Sequence, residues 1–262
     1  MYGFELHQAK SVGDAAAVIA RTGGKALAGG QSLVAAMKLR LAQPGHLVDL
    51  SGIRELAGIR SEGAALVVGA MTRHAEVASS AAVKAAIPAL AALAEGIGDR
   101  QVRNMGTLGG SLANADPAAD WPAAVVALDA TIVTQKRSIG ADAFFKGMYE
   151  TALAADEIIT NVRFPVPQKA GYAKFPNPAS RFALVGVFVA KTANGVRVAV
   201  TGAAPSVMRV KVIEDALAKS WTADAVRAVK VSPSGLNNDL HGSPDYRAHL
   251  VSVMAARAVA AS

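Results

Sequence analysis

The chain has 262 residues, 52% of them hydrophobic and 18% charged, which is enough for two domains or one large one with a substantial core. It contains no cysteine, which excludes disulfides, a cysteine nucleophile and an iron–sulfur cluster held by this chain. The net charge is +7, but lysine and arginine are spread thinly, which argues against a nucleic-acid surface. No signal core is visible, and no apolar run approaches the roughly 20 residues of a membrane helix, so we expect a cytoplasmic protein without a membrane span.

The first fifty residues alternate between strand and helix signals, as in an α/β unit. We predict strands at residues 4–7, 25–30 and 46–50, with one or two helical turns at 31–40. Between the first two strands, Ser11 has the form of a helix N-cap and Gly23 that of a helix end.

The middle of the chain carries fewer clear signals. We predict a strand at 64–72, helices at 74–78, 89–95 and 122–128, and strands at 130–135 and 157–165. We expect residues 97–120, which are rich in polar and small side chains, to be largely irregular. Within them, Asp116 before Pro117 has the form of a helix N-cap. Asp120 is either the start of the next helix or a contact for sugar or polyol hydroxyls.

The last third reads as strands followed by helices, an α+β pattern. Residues 164–171 resemble a linker. Strands are predicted at 172–175, 183–191 and 195–203, and helices at 210–219, 223–230 and 244–260.

Two glycine segments combine paired glycines with hydroxyl or amide residues. The first is LAGGQSL, residues 27–33, and the second is GTLGGSLAN, residues 106–114. Backbone without side chains lets an anion approach closely, so two such segments could hold a diphosphate from both sides. Neither matches the dinucleotide fingerprint or the P-loop. The alternative is that both are simply turns requiring positive φ.

Four stretches together resemble one family. They are AGGQSLVAAMKLRLAQPGHLVDLSGIREL, IGDRQVRNMGTLGGSLANADPAADWPAAVVALDA, KFPNPASRFALVGVFV and DLHGSPDYRAHL. The chain is similar, from about residue 4 to 257, to the FAD-binding medium subunit of molybdenum hydroxylases such as carbon monoxide dehydrogenase and xanthine dehydrogenase. This implies an α+β fold in which two α/β subdomains of the PCMH-type FAD-binding fold, 1–55 and 56–166, hold FAD between them. A C-terminal domain, 167–262, would contain a three-stranded antiparallel sheet with helices.

The resemblance also implies a set of cofactor-binding residues. Asp120 corresponds to an acid that binds ribityl hydroxyls, Lys174 to a lysine near the flavin ring, and Lys25 to an adenosine-side contact. The family commonly has an acid where Arg181 stands, so Arg181 receives no role. The implied set is Lys25, Ala28, Gly29, Gly30, Gln31, Ser32, Leu33, Thr107, Gly109, Gly110, Ser111, Asn114, Asp116, Asp120 and Lys174.

The function implied by the resemblance is electron transfer, with no catalytic residue and no metal on this chain. FAD would take electrons from [2Fe–2S] clusters of a small subunit and pass them to an external acceptor. A large subunit would carry the molybdenum cofactor, in a dimer of heterotrimers. The substrate and the acceptor stay open. The alternatives are a free-standing FAD-dependent oxidoreductase and a non-redox module that binds a phosphate ligand or nucleic acid.

The aromatic and histidine residues suggest no further site. Trp121 and Trp221 are expected in the core rather than stacked on flavin. His7, His46 and His74 stand isolated in the sequence, and no two histidines have metal-ligand spacing, so structural roles are expected.

Overall fold

The computed structural model describes residues 1–262, and its first part is a small parallel sheet. The strand order is β1–β3–β2, with Glu5 paired to His46 and Lys25 paired to Leu47. The elements are β1 (Glu5–Gln8), α1 (Val12–Thr22), β2 (Lys25–Leu27), α2 (Leu33–Lys38) and β3 (His46–Asp49).

Helix α1 begins and ends at the predicted residues. The Ser11 hydroxyl accepts a hydrogen bond from the Asp14 N–H at 3.1 Å, and Gly23 ends the helix in the left-handed region at φ 66°. The apolar face of the helix, including Val18, packs with Val48 of β3 in one hydrophobic cluster. Capping and periodicity therefore determine this first unit as expected.

The second part is a five-stranded antiparallel sheet in the order β4–β5–β10–β6–β7, covered by helices. Its central strand, β10, comes last in the chain and is inserted between β5 and β6. The elements are β4 (Ile59–Glu62), β5 (Ala65–Gly69), α3 (His74–Ser79), α4 (Ala81–Ala86), α5 (Pro88–Glu95), α6 (Arg100–Met105), α7 (Leu108–Asn114), α8 (Trp121–Ala127), β6 (Thr131–Thr134), β7 (Ser138–Gly140), α9 (Ala141–Phe144), β8 (Phe145–Gly147), β9 (Glu150–Thr151) and β10 (Ile159–Pro165).

The expectation that residues 97–120 are largely irregular is wrong, because α6 and α7 lie within them. Asp99 caps α6 by accepting the Val102 N–H at 2.8 Å, and Thr107 caps α7 by accepting the Gly110 N–H at 3.2 Å. Glycine disfavours a helix interior. Here it is required by packing, since a Cβ on Gly109 would lie 2.6 Å from the Ala70 Cβ.

Asp116 does not begin a helix, which corrects its prediction as an N-cap. Its Oδ1 accepts the Ala118 N–H at 2.9 Å and closes a short turn. Asp120 stands just before α8, but its side chain makes no capping hydrogen bond. The carboxylate of Asp120 is therefore free for other partners.

The third part is an antiparallel sheet in the order β11–β12–β13–β14, packed on helices. It has the three long strands expected and a two-residue edge strand, β14. Only residues 166–168 separate β10 from β11, so the predicted linker is mostly strand. The elements are β11 (Lys169–Pro176), β12 (Ala183–Thr192), β13 (Gly195–Thr201), β14 (Met208–Arg209), α10 (Lys211–Lys219), α11 (Ala223–Arg227) and α12 (Pro244–Ala260).

The core of the second part extends into the third. Its cluster of 32 buried residues includes Trp121, which is fully buried as predicted, together with Phe188 and Ala199 from the third sheet. This shared packing holds β11 and β12 against α5 and α8, which brings their side chains towards residues 96–120. No helix of the chain combines the length and the apolar character that crossing a membrane requires.

Gly171 on β11 offers a test of this packing. A Cβ there would lie 1.9 Å from the Ala258 carbonyl oxygen, so α12 must move away in Gly171→Ala. We expect a loss of at least about 2 kcal/mol in the free energy of unfolding, measured by urea titration. The matched control is Gly140→Ala, where no atom lies within 4 Å. Equal stability of the two variants would contradict the close approach of α12.

Candidate functional site

A cavity of about 620 Å³ lies where the three parts of the chain meet. It is lined by residues 24–33 of the first part, by residues from α6 to α8 and from 149–159 of the second, and by residues 180–182 of the third. Fourteen of the fifteen residues predicted to bind the cofactor line it. Lys174 is the exception.

The first glycine segment turns sharply after β2 and presents free N–H groups. Gly30 has φ 71°, a conformation that L side chains rarely adopt. The N–H groups of residues 29–32 donate to no acceptor within the chain, although all four residues line the cavity. Successive unpaired N–H groups in a turn form a concave site for an anion. In this segment the backbone itself is the binding group.

In the second glycine segment most of the N–H groups are already used. The Leu108 and Gly109 N–H groups donate to the Thr72 and Ala70 carbonyls at 3.1 and 2.8 Å, and the Gly110 N–H donates to Thr107. Gly109 is therefore required for packing rather than for positive φ. The Ser111 hydroxyl, which makes no hydrogen bond within the chain, lines the cavity and stays available to a ligand.

The two glycine segments are in direct contact. A Cβ on Gly29 would lie 2.1 Å from the Met105 carbonyl oxygen, and a Cβ on Gly110 would lie 3.3 Å from the Ala28 Cβ. The convergence of the two segments, expected from their composition, is thus present. The two segments meet through direct contact, in which the backbone at Gly29 lies against the backbone of Met105 and Gly106.

Asp120, Tyr172 and Lys174 form a buried polar cluster, of which only Asp120 lines the cavity. Asp120 is 4% exposed, and its Oδ1 lies 2.9 Å from the Lys174 Nζ and accepts a hydrogen bond from the Tyr172 hydroxyl. Lys174 also donates to the Gly96 carbonyl at 2.7 Å. Because its side chain is only 10% exposed, Lys174 is not a solvated surface lysine.

The electrostatics of this cluster are those of a desolvated carboxylate. Burial raises the pKa of Asp120, and the Lys174 ammonium and the Tyr172 hydroxyl oppose that rise. Burial, followed by the Asp120 charge, raises the pKa of Tyr172 well above its usual value, so the phenol stays protonated as a donor. Both side-chain contacts use Oδ1, which leaves Oδ2 of Asp120 without a side-chain partner, at a residue that lines the cavity.

The other predicted residues line the cavity through weaker or exposed contacts. Gln31 donates from Nε2 to the Gly29 carbonyl at 3.1 Å. Asp116 accepts from the Tyr149 hydroxyl at 3.3 Å. Five further predicted residues line the cavity and make no side-chain hydrogen bond: Lys25, Ala28, Ser32, Leu33 and Asn114.

Several cavity residues carry no signal in the sequence. Tyr149 and Arg181 have φ of 56° and 62°, unusual for residues other than glycine, and both line the cavity with the half-exposed Phe182. No sequence signal marked these conformations. Tyr172, which contacts Asp120 without lining the cavity, could have been found, because strand alternation places it on the same face as Lys174.

A family model described as the FAD binding domain in molybdopterin dehydrogenase matches residues 2–167. The chain belongs to this family. The carbon monoxide dehydrogenase medium chain of Hydrogenophaga pseudoflava is 39% identical, over 99% of this chain and 96% of its own length. The nicotine 6-hydroxylase medium subunit of Paenarthrobacter nicotinovorans is also 39% identical, over 73% of this chain and 72% of its own.

The fold agrees with a solved member of the family. The structure of carbon monoxide dehydrogenase from Hydrogenophaga pseudoflava that lacks the Mo-pyranopterin moiety of its molybdenum cofactor matches with a TM-score of 0.89 and 38% identity, covering 99% of this chain and 97% of that one. The resemblance and the fold class predicted from the sequence are confirmed. This chain is an FAD-binding subunit of an oxidoreductase.

The chemistry of the cavity fits FAD, in agreement with the family match of the chain. Its volume falls within the roughly 300–1,000 Å³ typical of ligand pockets. Unpaired N–H groups at residues 29–32 match a diphosphate, and the Oδ2 of Asp120, which has no side-chain partner, matches a hydroxyl-bearing chain. Donors for an anion and an acceptor for hydroxyls therefore occur in the same cavity.

His74 lies beneath the second glycine segment and is held neutral. It is 5% exposed, and its Nδ1 accepts the Trp121 indole N–H at 3.1 Å. Burial, and then the nearby Arg103 charge, lowers the pKa of His74 to about 4. A Cβ on Gly106 would lie 2.8 Å from its Nε2, so the ring supports the backbone that leads into α7.

This lowered pKa predicts a loss of stability in mild acid. The unfolded chain takes up a proton at His74 near pH 6.5 while the folded chain does not, so stability is full above that pH and falls until about pH 4. We expect the wild type to lose on the order of 3 kcal/mol more than His74→Gln across this range. Urea unfolding at pH 7 and pH 4.5 measures the difference. Parallel losses in both proteins would show that His74 is not the titrating group.

Proposed function

We propose that this chain is the electron-transfer subunit of a molybdenum hydroxylase, taking electrons from the [2Fe–2S] clusters of a partner and passing them to an external acceptor. The observation that carries the proposal is the cavity lined both by unpaired backbone donors and by Asp120, whose buried carboxylate is held by Tyr172 and Lys174. FAD bound there supplies the ability to exchange electrons with both one-electron and two-electron partners. The protein supplies position and electrostatics.

Each part of the cavity has a proposed role. The N–H groups of residues 29–32 bind the cofactor diphosphate, with the Ser111 hydroxyl on the opposite side. Asp120 accepts from ribityl hydroxyls through Oδ2, while Tyr172 and Lys174 fix its orientation through Oδ1. The Lys174 ammonium adds positive charge near the flavin ring.

The remaining residues of the predicted set complete the site. Lys25, exposed at the start of β2, is proposed for the adenosine side. The others are proposed to shape the cavity around the cofactor: Ala28, Leu33, Thr107, Gly109, Gly110, Asn114 and Asp116.

We assign no catalytic residue to this chain, because its substrate is proposed to react on the molybdenum subunit. Two relatives of equal identity support this division, since one is named for carbon monoxide and the other for nicotine. Medium subunits equally similar to this chain are thus named for enzymes with different substrates. The names of both relatives as medium chain or subunit support a large and a small partner, and we propose a dimer of heterotrimers.

We also propose the domain division 1–55, 56–166 and 167–262. It is supported by the three larger sheets, each of which falls within one of these ranges, and by the two-stranded sheet β8–β9, which falls within the second. In this division FAD lies between the first two domains, and the third contributes residues 180–182 to the wall and Tyr172 and Lys174 as partners of Asp120.

The alternative that stays open is a free-standing FAD-dependent oxidoreductase. Affinity purification of the tagged chain from its native host separates the two. Our proposal expects molybdenum and iron to co-purify in fixed ratio with FAD. Recovery of the yellow chain alone, active with an organic substrate, would favour the alternative.

Gly29→Ala tests the diphosphate cradle, which is the loop of residues 29–32 whose N–H groups are proposed to bind the diphosphate. The new Cβ would meet the Met105 carbonyl oxygen at 2.1 Å, so the cradle must move away from α6. We expect FAD affinity to fall at least about tenfold, measured by the quenching of flavin fluorescence on binding, because a displaced loop misaligns its donors. Gly13→Ala is the control, since its nearest atom lies 4.0 Å away. Unchanged affinity in a folded Gly29→Ala protein would remove the cradle role.

Lys174→Met tests the electrostatic role of the cluster. Removing the ammonium beside Asp120 leaves the cavity more negative, which disfavours adding electrons to the bound cofactor. We expect a lower flavin reduction potential with FAD retained, measured by dye-equilibrated titration. Lys191→Met, at an exposed position on β12, should leave the potential unchanged. A Lys174→Met potential equal to that of the wild type would contradict the role.

A further inference from the structure

Three potential metal ligands come together on the first sheet, outside the cavity. Glu5 and His7 are two residues apart on β1 and so project from the same face. His46 is the parallel partner of Glu5 on β3. The interpretation of His7 and His46 as isolated is therefore wrong, because the β1–β3 register places them side by side. None of the three residues lines the cavity.

The donor atoms of this cluster are arranged as one face of a coordination shell. His7 Nε2 lies 3.1 Å from His46 Nδ1, and the Glu5 Oε2 lies 3.5 Å from His46 Nδ1 and 4.0 Å from His7 Nε2. In a tetrahedral zinc site with bonds near 2.0–2.1 Å, neighbouring ligand atoms are about 3.3 Å apart. The two ring nitrogens and the carboxylate are close to that spacing.

We propose that Glu5, His7 and His46 bind a divalent transition-metal cation, zinc, through two imidazole nitrogens and one carboxylate oxygen. Calcium and magnesium prefer shells made of oxygen, whereas zinc binds imidazole and carboxylate together. Glu5 is exposed, with 73% of its side chain accessible, so a water molecule completes the shell from solvent. The half-buried imidazoles lie on paired strands, which holds their nitrogens in place.

The competing arrangement is a simple hydrogen bond between the two imidazoles, which the 3.1 Å separation also permits. In that case one ring nitrogen carries the shared proton. On zinc binding the donating ring changes tautomer: its proton leaves the facing nitrogen and its other ring nitrogen is protonated, so both neutral rings coordinate through the facing nitrogens. Metal binding and the hydrogen bond therefore exclude one another, and the two states are distinguishable.

The consequence of binding would be to fasten β1 to the rest of the sheet. β1 is an edge strand of four residues that pairs only with β3. A cation held by both strands adds a cross-link that the unfolded chain does not have, so the metal stabilises the folded state. The site would serve the structure and leave electron transfer unchanged.

The test uses the 262-residue chain, stripped with EDTA and titrated with zinc alone by calorimetry. We expect one zinc per chain, with affinity at least tenfold weaker in His7→Gln and in His46→Gln. The control is the double variant His241→Gln, His249→Gln, which removes two exposed histidines on the third part of the chain and should bind zinc as the wild type does. Glu5→Gln, which removes the carboxylate charge, should also weaken binding.

A measurement on the wild type alone guards against variants that fail to fold. Long-range ¹H–¹⁵N spectra report each histidine ring, and stoichiometric zinc should shift two of the five rings. Absence of stoichiometric binding, zinc affinity unchanged in both His7→Gln and His46→Gln, or shifts spread over all five rings would overturn the proposal. Any of these results would leave the pair as a hydrogen bond.

Discussion

The contact between Gly29 and the Met105 carbonyl is the constraint on which the site depends. At 2.1 Å from a would-be Cβ, this approach is possible only for backbone without a side chain. It joins the loop after β2 to the end of α6 and so holds the first sheet against the second part of the chain. The N–H groups of residues 29–32 have no acceptor within the chain, and these residues line the cavity. The same glycine that permits the packing also exposes the donors.

The third part of the chain contributes through a different interaction. Phe188 and Ala199 pack into the core of the second part, which places β11 beside α5. The Lys174 ammonium can therefore reach both Gly96 and Asp120. A buried carboxylate without such partners would be costly. The family match ends at residue 167. Residues 180–182 of the cavity wall lie beyond that point, and so do Tyr172 and Lys174, the partners of Asp120.

Sequence reasoning succeeded where a local rule decides the structure. Ser11 and Gly23 mark the ends of α1, and alternating or continuously apolar runs mark the long strands of the third sheet. It failed at residues 97–120, because small side chains hide the helical period and because Gly109 is selected by contact with Ala70. The burial of Lys174 and the pairing of His7 with His46 depend on tertiary position or strand register. No property of the residues alone predicts either.

In the parallel first sheet, the proposed diphosphate-binding loop and the proposed zinc site lie at opposite ends of the strands. The anion-binding loop follows the carboxyl end of β2, where ligands of open α/β sheets bind. Glu5 and His46 are the first residues of β1 and β3, at the opposite end of the same strands. A cation there would lie away from the cofactor diphosphate and so would not compete with Lys174 or the N–H groups for negative charge. Its effect would be on the sheet itself, because β3 pairs with both β1 and β2 and a cation on β1 and β3 would fasten the edge strand to that pair.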